Sequence, residues 1–227
     1  MRCNSAAKGF PLTRIDPNVS RLLFPLLFLL SLGVLLADEP APIIARPGKV
    51  IAQPDFRQAL GPEWSVIKGK WTPADGVLTA VEIPEEKHAA VLHLKTGPVS
   101  AVIDCEFRLN GGKTFYVGCD STKHVGRVVI TGTTVKLAED STEVKGKTPS
   151  HVLAEAKVDL KPGEWQRLHV EYAGDRMAAR LNGDELKVQH EYLATPKERW
   201  WFAASGDNVQ VRNVRFSEGE PLETPKP

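Results

Sequence analysis

Between Trp165 and Gln189, apolar and polar residues alternate with the period of a half-buried strand: Leu168, Val170 and Tyr172 against Arg167, His169 and Glu171. After Gly174-Asp175 the alternation resumes, with Met177, Ala179 and Leu181 against Arg176, Ala178 and Arg180, and Asn182-Gly183 follows. Asn-Gly tolerates the positive φ of a type I′ turn, whose twist suits paired strands, so this stretch predicts a three-stranded meander. Ser100 to Asp120 predicts a hairpin about Asn110-Gly111-Gly112-Lys113. One face carries Ala101, Ile103, Cys105, Phe107 and Leu109, and the other Val102, Asp104, Glu106 and Arg108. In that hairpin Cys105 lies nearly opposite Cys119, and Tyr116 shares the polar face with Asp104, Glu106 and Arg108. Further strands are read at Gly76 to Ile83, His88 to Leu94, Gly126 to Leu137, Trp200 to Ala204 and Val209 to Phe216. The last changes face between Val211 and Val214, which places a bulge at Arg212-Asn213. No stretch of a dozen residues carries a helical stripe. About nine or ten short strands punctuated by Gly, Pro and Asn predict an all-β fold, a two-sheet antiparallel jelly-roll sandwich rather than a small closed barrel.

Both ends of the chain break this pattern. Arg14 and Arg21 precede an apolar run, Leu22 to Leu36, which Pro25 interrupts and which ends at the small residue Ala37. The run is shorter than the roughly 20 residues a spanning helix needs. Residues 1–37 are therefore expected to be a secretory signal, with an uncleaved anchor as the alternative; the membrane is then met only through this N-terminal segment. Either way the folded part is expected outside the cytoplasm, secreted or periplasmic or at the cell surface. Residues 38–53, with Pro40, Pro42 and Pro47, are expected to be an extended tether. Residues 54–218 form the expected sandwich, and 219–227, with Pro221, Pro225 and Pro227, a disordered tail.

The charges are balanced, 29 Lys and Arg against 28 Asp and Glu, and scattered, so no basic stripe exists to displace counterions and nucleic acid is excluded as a partner. Of three cysteines, Cys3 lies in the signal, leaving Cys105 and Cys119 where a disulfide can persist. Directly opposed strand positions strain that bond and free cysteines are common in cores, so a disulfide and two free thiols both stay open. The six histidines, His88, His93, His124, His151, His169 and His190, include no His-x-x-x-His pair, and the cysteines lack ligand spacing. No metal or cofactor is expected; a structural Ca²⁺ stays open, although no Asp-rich loop marks one.

Several motifs together resemble a known family. They are Trp64-Ser65-Val66 to Trp71, Asp75-Gly76-Val77-Leu78, Asp104-Cys105-Glu106-Phe107-Arg108, Pro162-Gly163-Glu164-Trp165, Leu181-Asn182-Gly183, and Val211-Arg212-Asn213-Val214-Arg215-Phe216. From about Asp55 to Phe216 the chain is similar to the concanavalin A-like sandwiches called the 3-keto-disaccharide hydrolase domain, or domain of unknown function 1080. The resemblance implies that carbohydrate is the partner, either bound or hydrolysed. It also directs attention to Val102-Ile103-Asp104-Cys105-Glu106, which is similar to the Glu-x-Asp-x-Glu strand of laminarinase-type retaining glycosidases. Those enzymes need two carboxyl groups about 5 to 5.5 Å apart. Val102 stands where the first Glu would be, so that mechanism lacks its nucleophile here.

Asp104 and Glu106 remain the catalytic candidates, with a polar sheet face paired to Arg108 or Arg127 as the structural alternative. Sugar binding calls for planar rings and for groups that meet hydroxyls. Arg108, Tyr116, Arg127 and Trp200 are the substrate-binding candidates; on a strand, Trp200 and Trp201 must point opposite ways, which puts one of them in the core. The expected function is an exported carbohydrate-directed protein, a glycoside hydrolase-like hydrolase if it is an enzyme. The alternative is a non-catalytic carbohydrate- or protein-binding module of the cell surface.

Overall fold

The structure, a computed structural model, describes residues 40–141 and 151–223. The expected signal, residues 1–37, and the last four residues of the expected tail lie outside the described residues. Fifteen strands are present among the described residues. In chain order they are β1 (Ala45–Ala52), β2 (Trp64–Lys68), β3 (Lys70–Ala74), β4 (Val77–Val81), β5 (Ala90–Leu94), β6 (Ala101–Leu109), β7 (Gly112–Asp120) and β8 (His124–Thr131). There follow β9 (Thr134–Glu139), β10 (His151–Lys157), β11 (Gln166–Ala173), β12 (Arg176–Leu181), β13 (Asp184–Gln189), β14 (Arg199–Gly206) and β15 (Val209–Pro221). Two short 3₁₀ turns, Pro84–Glu86 and Glu191–Ala194, are the only helical elements described, and no helix among the described residues is long and apolar enough to cross a membrane.

The strands form two antiparallel sheets. Sheet A runs β13-β12-β11-β6-β15-β4-β3, with β1 also on β15, and sheet B runs β10-β9-β8-β7-β14-β5-β2. Their apolar faces meet in one core, as the alternation requires. Aromatic rings bridge the layers: Phe107 of sheet A lies 4.9 Å from Phe115 of sheet B, and Trp200 of sheet B touches Tyr172 and Phe216 of sheet A at 4.8 and 5.4 Å. Trp200, 1% exposed, is thus a core plug and no sugar platform.

The meander forms as expected, with β11, β12 and β13 paired in register and Asn182-Gly183 at positive φ. So does the bulge, where β15 slips against β6 between Arg212 and Arg215 and Asn213 takes a φ of 52°.

The expected hairpin of β6 and β7 is corrected. Both edges of β6 are taken, by β11 and β15, while β7 pairs with β14 and β8 in the other sheet. Asn110-Gly111 therefore turns the chain from one layer to the next, with the N–H groups of Asn110 and Gly112 both donated to the Asn208 carbonyl. Cys105 and Cys119 still face the core, but from opposite sheets, and both are free buried thiols. Burial pushes the Cys119 thiol up to about 12 and raises Cys105 as well, so neither is a ready thiolate.

The tether is also corrected, and so is the start of the tail, since Gly219, Glu220 and Pro221 belong to β15 and pair with β1. Ala45–Ala52 is strand β1, paired to the C-terminal half of β15 beyond the point where β4 leaves it. Its register slips between Pro47 and Val50, the kind of irregular edge position where a proline is tolerated in a sheet.

Candidate functional site

Alternation sends the polar residues of β6 and β7 to opposite surfaces of the sandwich, so the candidates divide between two faces. On the outer face of sheet A, Asp104 and Glu106 are both engaged. His169 bridges two carboxylates, with Nδ1 2.7 Å from Asp104 and Nε2 2.6 Å from Glu171. Glu171 also accepts the backbone N–H groups of Ile43, Ile44 and Ala45, at 2.8, 2.5 and 2.7 Å. Burial opposes the charge on His169, yet the two carboxylates raise it to about 9; burial likewise opposes ionisation of Glu171, but His169 and the three amides hold it below its usual range. Glu106 pairs with Arg212 at 2.6 Å, and Arg108 donates to Gln210 at 2.6 Å. Both guanidinium groups lie over the Trp165 ring, at 4.1 and 4.6 Å from its centroid. The charges of this face are spent on one another, and the segment Ile43–Ala45 packs across it on Val102, Ala173 and Ala178.

The outer face of sheet B is built differently. Register puts His93, Trp201, Gly118 and Arg127 side by side across β5, β14, β7 and β8. The next row holds Val91, Ala203 and Tyr116, and on the other side Arg199 and Asp120 stand opposite each other. At Gly118 a side chain is missing and the Trp201 indole fills the gap: a Cβ there would lie 2.2 Å from Trp201 Cζ2. Trp201, 5% exposed, forms a floor. Above it opens a hollow of about 210 Å³ lined by Val91, His93, Tyr116, His124, Arg127 and Trp201, with His88, Ala89 and Ala203.

One carboxylate organises this floor. Asp120, 4% exposed, accepts from Trp201 Nε1 at 2.6 Å, His124 Nδ1 at 2.7 Å and Arg199 Nε at 3.0 Å. Burial alone would raise its carboxyl, but the bonds from His124, Trp201 and Arg199 bring it below the usual range. Burial holds the His93 imidazole below its ordinary value; Asp120 pulls the other way, while the charges of Arg199 and His124 add to the lowering. Arg127 is fixed by an ion pair with the buried Asp140 rather than with a carboxylate of β6.

Of the expected binding residues, then, Tyr116 and Arg127 line the hollow, Arg108 lies on the opposite surface and Trp200 is in the core. His93, Asp120 and His124 carry no expected role in a binding site, and Trp201 is expected only as one of a pair of which one is core. A signal for Trp201 existed: Trp200, Phe202 and Ala204 share one parity and match the apolar set, which leaves Trp201 outside. For the histidines no local signal existed, because they come from separate strands. Among the described residues no group of three or more His, Cys, Asp or Glu side chains is placed to hold a metal ion.

Comparison with solved structures places the architecture. The carbohydrate-binding module CBM66 from Bacillus subtilis is 12% identical, with a TM-score of 0.57 over 68% of this chain and 95% of that one. The family GH16 endo-β-1,3(4)-glucanase SCLam is 11% identical, with a TM-score of 0.54 over 77% and 95%. The exoplasmic/lumenal domain of VIP36, in its Ca²⁺/Man3GlcNAc-bound form, is 9% identical, with a TM-score of 0.53 over 72% and 86%. At such identities the likeness is one of fold, the concanavalin A-like sandwich. No curated protein matches the sequence. The family model of the 3-keto-α-glucoside-1,2-lyase-like domain matches residues 58–217, from the segment before β2 through most of β15, and by that match the chain belongs to this family.

Proposed function

We propose that this domain is a carbohydrate-directed enzyme that works in the hollow on the outer face of sheet B, eliminating the aglycone from a 3-keto-glucoside. The observation that carries the reading is the meeting in one hollow of His93, held neutral by burial, and His124, anchored on Asp120, beside Arg127 and Tyr116. The family description supplies the substrate class. A carbonyl at C3 acidifies the hydrogen on C2. His93 takes that proton, the C1–O bond breaks with its electrons on the departing oxygen, and a C1=C2 double bond conjugated to the ketone remains. His124, entering the step with both ring nitrogens protonated, delivers its Nε2 proton to the departing oxygen, so one proton is taken and one delivered. Arg127 and Tyr116 supply donors for the sugar's hydroxyl and keto oxygens. A volume of about 210 Å³ is below the roughly 300–1,000 Å³ of drug-sized pockets, which suits one sugar ring rather than a polysaccharide segment. The basic leader and apolar run in residues 1–37 support a place outside the cytoplasm for this reaction.

The test is a chromogenic one: the purified protein with p-nitrophenyl 3-keto-α-glucoside, reading nitrophenolate release and ligand binding together. Wild type should turn over, His93→Gln should lose about 10²-fold or more, and Glu106→Gln, on the other face, should match wild type. Turnover that survives in both His93→Gln and His124→Gln rejects the site. Binding without release makes the protein a non-catalytic module.

A further inference from the structure

Resting on that reading, we infer that Asp120 is the positioning residue of the hollow: it selects the tautomer of His124 and locks the imidazole and the Trp201 floor into one unit. An ionised carboxylate only accepts hydrogen bonds. With Asp120 Oδ1 2.7 Å from His124 Nδ1, the Nδ1 proton stays on the carboxylate side, so the proton delivered to the departing oxygen leaves from Nε2 and the ring is left as its Nδ1–H tautomer. The same oxygen accepts from Trp201 Nε1 at 2.6 Å, and the indole meets the imidazole edge-on at 5.5 Å and 60°. Trp201 is held from beneath by the missing side chain of Gly118. On the other oxygen, Arg199 Nε donates at 3.0 Å and adds to the bonds from His124 and Trp201 that keep the carboxylate ionised.

The backbone is shaped for this arrangement. The register between β7 and β8 slips between Cys119 and Asp120, so that Asp120 stands opposite His124, and β14 delivers Arg199 and Trp201 from the other side. The three donors thus come from two different strands and converge on one buried carboxylate.

The experiment is Asp120→Asn in the full protein, assayed with p-nitrophenyl 3-keto-α-glucoside across pH. The Asn amide can donate to His124 as well as accept, which releases the tautomer. The expected result is a kcat lower by about 10²- to 10⁴-fold, KM within about threefold, and a changed pH profile. The double variant Asp120→Asn/His124→Gln should be no worse than His124→Gln alone, because the two residues act as one unit. Glu106→Gln, on the opposite face of the sandwich, should keep the wild-type kcat and pH profile, and an unchanged far-UV circular dichroism spectrum of Asp120→Asn serves as the folding control. Losses that multiply in the double variant, or Asp120→Asn with a raised KM and an unaltered pH profile, would overturn the inference. An inactive His124→Gln beside a fully active Asp120→Asn would overturn it while leaving the proposed reaction intact; a fully active His124→Gln would instead remove His124 from that reaction.

Discussion

The environment of His93 keeps it neutral and that of Asp120 keeps it charged, and for both the reason is burial weighed against particular neighbours. For His93 burial wins, with help from Arg199 and His124, so its folded pKa lies below 6.5. The base form then prevails at neutral pH, and kcat/KM should fall only as pH drops below about 6.5. A pH profile on the chromogenic glucoside checks this. Arg199→Gln removes one lowering charge and should move that acid limb to higher pH, whereas an identical limb in His93→Gln would assign it to another group. None of this is encoded locally: His93, His124 and Asp120 lie on three strands, and only the register of β5, β14, β7 and β8 brings them together. Tyr116 and Arg127 could be read as outward-facing from alternation alone, but their company could not.

Between elements, the contact that decides the hollow is Trp201 of β14 lying on Gly118 of β7. Gly118→Ala puts a methyl group 2.2 Å from an indole carbon, with strands fixed on both sides. The indole must swing outward, breaking its bond to Asp120, at a cost of about 1 to 3 kcal/mol. Denaturant unfolding followed by tryptophan fluorescence should show both a lower midpoint and a red-shifted native spectrum; an unchanged midpoint would mean the floor yields freely. At this level the sequence carries both clear and ambiguous signals. The meander was legible because Asn182-Gly183 permits only a tight turn, and the bulge at Arg212-Asn213 because the apolar parity changes there. Asn110-Gly111, by contrast, suits a hairpin within a sheet as well as a corner between sheets. Both keep Cys105, Phe107, Phe115 and Cys119 on the buried side. Only the non-local pairing of β6 with β11 and β15 separates them, and it sends Tyr116 to the surface opposite Asp104. Strand β1 was hidden for a related reason: its prolines argue against a ladder, and its partner is some 170 residues away by sequence number, in β15.

At the scale of the whole molecule the two outer faces divide the work. Sheet B carries the hollow; sheet A carries the Asp104–His169–Glu171 chain, which fastens Ile43–Ala45 to the sandwich through three backbone amides. His169, 3% exposed, titrates at about 9 when folded against 6.5 for a free imidazole, so the folded state binds its proton more tightly than the unfolded chain. That contribution is fully present below pH 6.5 and is lost as pH rises through 9, an effect on the order of 3 kcal/mol. Glu171 works in the opposite sense, its contribution being present above 4.5 and lost as pH falls through its lowered folded value. Melting temperature should therefore decline between pH 6.5 and 9, and His169→Gln should flatten that decline while lowering stability at pH 6. Because the core separates the chain from the hollow, kcat of His169→Gln at 25 °C should equal that of wild type. A variant that lost turnover in step with stability would show the faces to be coupled through the core, and would return Asp104 to the list of residues that serve the reaction.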